Sequence, residues 1–283
     1  MPAVYGSWID TRRRTCCVLL QDLVLSGARF PTARHSMHLR TLQSALGSLA
    51  AVHAAHWQSP RLANHAHSDL AWVPTPGELR HACMRHRVGL SVMRVALRAV
   101  AAATQAHAQG RAPAQAQARA QAQAATVALR DQSPEDMWNA SRVADQVLSQ
   151  PPFTLCHGQA HVQHMYVLPR GTAGWLGWQW CTRSSWAVDV AAAIGSALSV
   201  PERQTHLPGL LALYLDRLRV HGVVHVPGVD AAHRLVACAM ARCLVDWLVE
   251  PPSKYGWSTW IANVARLATA CDDMGTFDLL SKA

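Results

Sequence analysis

Residues 155 to 168, LCHGQAHVQHMYVL, constrain the fold most: an apolar run breaks into three histidines, a glycine and two glutamines, then turns apolar again. The flanking pieces, Thr154 to Cys156 and Met165 to Leu168, are too short for helices and read as strands on either side of a polar loop. Gly174 to Trp178 reads as a third strand. Helical patterns follow over Leu210 to His221, Asp230 to Leu248 and Ser258 to Asp273, the last with Ser258 expected as its N-cap.

Upstream, AVYGSW (3–8) and TCCVLL (15–20) flank the polar IDTRRR and predict a β-hairpin. Leu39, Leu42, Leu46, Leu49 and Val52 recur at helical spacing and predict an amphipathic helix from His38 to Trp57, with His53 and His56 as surface or capping groups. From Ala101 to Ala125 the composition collapses to Ala, Gln, Arg and His. That stretch has no apolar stripe wide enough to bury, so a solvated helix or a flexible insertion is expected. A second organised block begins after SQPP, residues 149–152. The fold class is α+β, mostly helical, with a small antiparallel element around the loop.

With 283 residues, half of them hydrophobic, the chain is long enough for one large domain or two smaller ones. Its net charge of +9 invites a polyanionic partner. Yet all its cations except Lys254 and Lys282 are arginines scattered singly, and the densest run, Arg12 to Arg14, sits at the hairpin tip. No nucleic-acid partner is therefore expected. Eight cysteines without a C-x-x-C pair read as reduced, and with no leader pattern a cytoplasmic location is expected. The longest apolar stretch, Trp186 to Val200, contains Asp189 and is too short to cross a bilayer, so no membrane segment is expected.

His157, His161 and His164 have metal-like spacing, with Cys156 adjacent, but no second ligand cluster accompanies them. A hydrolase triad of Ser184 or Ser185 with His157 and Asp189 lacks the G-x-S-x-G context. Trp175, Trp178, Trp180 and Trp186 form an aromatic cluster, expected as core and pocket wall.

The order LCHGQAHVQHMYVLP, GWLGWQW, WAVDVAAAI resembles the aminoglycoside phosphotransferase and ecdysteroid-kinase-like group of small-molecule kinases. There the catalytic loop reads H-G-D-x-H-x-x-N, and the metal-binding strand ends in D-W-Q. VLLQDL with GARF (18–30) resembles the family's hinge, and LGSLAAVHAAHWQSPRL (46–62) its first large-lobe helix. The resemblance implies a protein-kinase-like fold. Residues 1–25 would be a remnant of the small lobe with the hinge at Leu20, Gln21, Asp22 and Leu23, and 26–283 the helical large lobe, poorly matched over 101–125. It also implies that the chain begins in the last small-lobe strands, without the glycine-rich turn and the lysine that anchors nucleotide phosphates.

Carried over by position, the frame matches at His157, Gly158, His161, Trp178, Gln179 and Asp189, all expected to be structural around the site. The chemistry does not. Gln159 replaces the catalytic aspartate, His164 the metal-binding asparagine, and Gly177 the second metal-binding aspartate. An amide positions a hydroxyl but cannot deprotonate it, and a general base is worth about a hundred- to ten-thousandfold. Mg²⁺ prefers hard oxygen, leaving His164 as the one residual metal candidate and no metal expected.

The expectation is a degenerate phosphotransferase-like protein without catalysis or cofactor, binding at most a small hydroxylated molecule or a protein partner, its oligomeric state open. The competing expectation is an active kinase using ATP and Mg²⁺ with other residues in the lost roles. A third is a drifted copy under no functional constraint.

Overall fold

A computed structural model describes residues 2–13, 15–62, 68–83, 86–105 and 113–283. The hairpin forms as expected, with β1 (Val4–Asp10) antiparallel to β2 (Thr15–Leu20). A turn over 21–28 leads out of it, and Arg29 and Val167 then exchange two backbone hydrogen bonds of 2.9 Å, tying this segment to the strand after the histidine loop.

Helix α1 (Leu39–Ala55) buries Leu42, Ala45, Leu46, Leu49, Ala50 and His53 along one face. His53 thus lies in the core, not on the surface, because it falls four residues after Leu49 on the apolar stripe. Next come α2 (Pro76–Cys83), α3 (His86–Gln105), α4 (Pro113–Ala128) and α5 (Pro134–Leu148). A capping box starts α5: Ser133 Oγ accepts from Asp136 N at 3.1 Å, and Asp136 Oδ2 accepts from Ser133 N at 3.3 Å.

The part of the Ala/Gln segment that the structure describes corrects the expectation of a helix with nothing to bury. Helix α4 packs on α3 and on α9 (Trp257–Asp273), burying Ala122 and Ala125 completely. Alanines need no wide apolar stripe when the partner helix supplies the bulk.

The strands flanking the loop form two separate pairs. β3 (Thr154–Cys156) pairs with β6 (Thr182–Ser184), and β4 (Met165–Val167) with β5 (Ala173–Trp175), both antiparallel. The expected third strand is shorter than Gly174 to Trp178, since Gly177 is left-handed and Trp178–Trp180 forms a 3-10 turn.

Helix α6 (Ala187–Ala197) is buried along its whole length. It packs on α1, α9 and α8 (Val229–Val249), the central helix that also meets α3, α5 and α7 (Val200–Val220). The first half of α7 was hidden by Pro201 and Pro208; Pro201 fits the first turn and Pro208 is tolerated inside the helix. The N-cap of α9 is Gly256, not Ser258, which lies within the first turn. A six-residue α10 (Thr276–Ser281) follows. No helix among the described residues is long and apolar enough to cross a membrane.

Candidate functional site

The loop between β3 and β4 is built on a buried carboxylate. Asp189, in the first turn of α6, is fully buried; its Oδ2 accepts from His157 N at 2.6 Å and its Oδ1 from Gly158 N at 2.9 Å. The same Oδ2 accepts from His53 Nε2 at 3.1 Å, and His53 Nδ1 pairs with the Tyr214 hydroxyl at 2.6 Å. Thr154 Oγ1 closes the network on His53 O at 2.7 Å. Helices α1, α6 and α7 and strand β3 thereby meet at one ionisable centre under the loop.

Both nitrogens of His157 are committed to backbone. Nε2 lies 2.6 Å from Leu176 O, so it carries the proton, and Nδ1 accepts from Gln159 N at 3.2 Å. Burial lowers its pKa, opposed by the Asp189 charge. A neutral imidazole with no free lone pair shapes the loop and has nothing left for a serine. Ser184 Oγ bonds Leu148 O instead, so the imagined triad does not assemble.

Gly158 has φ +82, and a Cβ added there would lie 1.9 Å from Trp180 O, so glycine is required. Trp178 packs its ring 4.7 Å from that of His157. Gln179 is exposed and makes no side-chain hydrogen bond among the described residues, so the expected bracing falls to Trp178 alone.

The cleft side of the loop is different. His164 Nδ1 donates to Gln159 O at 2.9 Å, leaving Nε2 with the lone pair. Gly177 has φ +79, and a Cβ there would lie 3.3 to 3.5 Å from the His164 ring. Positions 164 and 177, far apart in sequence, meet here. His161 stacks on His164 with ring centres 4.1 Å apart and turns toward Trp247 and Tyr255. Among the described residues its Nδ1 has no hydrogen-bond partner, nor has the buried Oε1 of Gln159. Burial holds the His161 pKa well below the ordinary range, with His164, His157 and Lys254 adding to it. His164 is lowered too, first by burial.

Lys254, Tyr255, Trp247, Glu250 and Asp246 reach this side from the end of α8 and the turn after it. Sequence reading passed over all five. Lys254 pairs with Glu250 at 2.7 Å and lies 5.1 Å from the centre of the Tyr255 ring. A cavity of about 20 Å³ lined by Gly158, Gln159, His161, Asp246, Trp247 and Tyr255 has room for roughly one water.

The loop histidines do not converge as metal ligands. Among the described residues, the His, Cys and carboxylate donors that gather within 4.8 Å of one another are those of His53, Cys156 and Asp189. Within this trio only His53 and Asp189 bond each other; Cys156 Sγ donates to Ser185 O at 3.3 Å, and burial and the Asp189 charge raise its pKa well above the usual value, keeping it a thiol. At the expected hinge, Gln21 N–H donates to Ala3 O at 2.8 Å, Asp22 Oδ1 caps the amides of Val24 and Leu25, and Leu23 is buried. The Gln21 side chain accepts from Ala3 N at 3.2 Å and donates to Ser26 Oγ at 3.0 Å, so it is engaged within the hairpin and its turn.

Neither protein-family models nor curated proteins yield a match to this chain.

Proposed function

We propose that the chain is a degenerate small-molecule kinase of the aminoglycoside phosphotransferase-like type, with a protein-kinase-like fold, in which the catalytic loop keeps its frame and has lost phosphoryl transfer. The observation that carries this reading is the meeting of His164 and Gly177 beside Gln159. In the resembled family these three positions hold the two metal ligands and the base. Here they offer an imidazole, no side chain and an amide. That donor set does not fit Mg²⁺, which takes oxygen ligands.

What survives is binding. The unpaired Gln159 Oε1 and a cavity sized for one hydroxyl or water support a hydroxylated small molecule as ligand, touched at one hydroxyl and otherwise resting on the rim. A partner protein on the same rim is the other form of this reading.

The test is phosphoryl transfer from labelled ATP with Mg²⁺ to a panel of aminosugars and alcohols. The wild-type protein is expected to transfer nothing. Chelator-sensitive transfer by the wild type overturns the reading. The triple variant Gln159→Asp, His164→Asn, Gly177→Asp then reports whether the retained frame supports catalysis once the groups return.

One observation favours the competing reading of an active kinase. His164, its pKa lowered from the ordinary 6.5, keeps a lone pair on Nε2, a base-capable atom beside Gly177. That reading requires transfer by the wild type and its loss in His164→Ala.

A further inference from the structure

The β1–β2 hairpin lies outside the core, and its apolar side chains face water. Trp8 is 56% exposed, Ile9 71% and Leu19 62%. Both faces are apolar: the register sets Trp8 opposite Cys17 on one, and Ile9 opposite Cys16 and Ser7 opposite Val18 on the other. A two-stranded hairpin is marginal in water on its own. Both of its edges are open among the described residues, and β2 carries no charge or proline to guard its edge.

We infer that the free edge of β2 pairs antiparallel with β2 of a second copy, joining two hairpins into a four-stranded sheet. Backbone alternation supplies the hydrogen bonds. Gln21 N–H points at Ala3 O, just before β1, so the N–H groups of Leu19 and Cys17 also face β1, and those of Leu20, Val18 and Cys16 face outward. Charge selects this edge over β1. In a two-fold antiparallel pair, the turn of one copy, with Arg12 and Arg13, lies beside the open end of the other copy's β2, where Asp22 stands. Pairing through β1 would bring the same arginines beside residues 2–4, which include no carboxylate. Val24 and Leu25, both exposed, extend the apolar surface beyond the same end. The pairing does not depend on the kinase-like reading.

Sedimentation velocity on the full chain, from about 1 to about 100 μM, tests it. The wild type is expected to pass from monomer to dimer over this range. Val18→Pro, which removes one outward N–H, and Val18→Lys, which charges the strand, should weaken the dimer at least about a hundredfold. Arg12→Asp with Arg13→Asp should weaken it about tenfold. A wild type that stays monomeric at the top concentration overturns the inference, as do assemblies larger than a dimer or a dimer unmoved by both Val18 variants. If a Val18 variant loses its helical signal, hydrogen exchange on the wild type decides. Slower exchange over 16–20 at high concentration supports the pairing, and unchanged exchange overturns it.

Discussion

The two sides of one loop differ in how they are held. Beneath it, Asp189 satisfies two backbone amides and the buried imidazole of His53, and His157 spends both ring nitrogens on backbone. On the other side Gln159 has an oxygen and His161 a nitrogen without a hydrogen-bond partner among the described residues, and Gly177 has no side chain. Groups that fix the backbone are costly to lose because each leaves a buried partner unpaired. The Gln159 side chain can change at little cost, whereas Gly177, at φ +79, is held to glycine by its backbone. The shape of the loop therefore rests on Asp189, His157 and Gly158 rather than on the side chain of Gln159.

The sharpest way to break this contrast is Asp189→Ala, which strips two amides and an imidazole of their acceptor at once. A loss of about 3–5 kcal/mol is expected in urea unfolding, the scale of removing one partner from a buried ionic pair. A loss under about 1 kcal/mol would remove the distinction between the two sides. Gly158→Ala comes next: left-handed backbone and a clash with Trp180 O should together cost about 2–3 kcal/mol.

Acid probes both sides together. His157, His161 and His164 all have pKa values lowered by burial from the ordinary 6.5, so each binds its proton more tightly in the unfolded chain. Their contribution is therefore fully present above 6.5 and is lost as the pH falls below that value toward the folded-state values. His161, the most enclosed, should contribute a slope of about 1.4 kcal/mol per pH unit in that window, measured by urea unfolding from neutral pH downward. His161→Phe should flatten the slope. The smallest effect is expected from Gln159→Ala, within about 0.5 kcal/mol, because its buried oxygen has no protein partner to lose.

What could be read in advance follows the reach of each signal. Helices α1, α8 and α9 were legible because their apolar residues repeat with a clear period, and the hairpin because two apolar runs flank a polar turn. The burial of α4 was not, since an alanine face is buried or exposed according to its partner, and α9 comes far later in the chain. The polarity of His53 pointed to the surface, but its position on the Leu42–Leu46–Leu49 stripe puts it in the core. The loop's framing residues were legible from their order, including Asp189 at a helix start. Lys254 and Tyr255 were not, because only tertiary packing carries the end of α8 to the loop. Nor could sequence show that a side chain at position 177 would meet the His164 ring, the juxtaposition on which the functional reading rests.

Thermal unfolding with and without ATP and Mg²⁺ tests that reading most directly, since a ligand at a hundred times its Kd adds about 2.7 kcal/mol of stability. At millimolar nucleotide the melting temperature is expected to be unchanged in the wild type. A reproducible rise that requires Mg²⁺ and disappears with chelator would contradict the proposed reading.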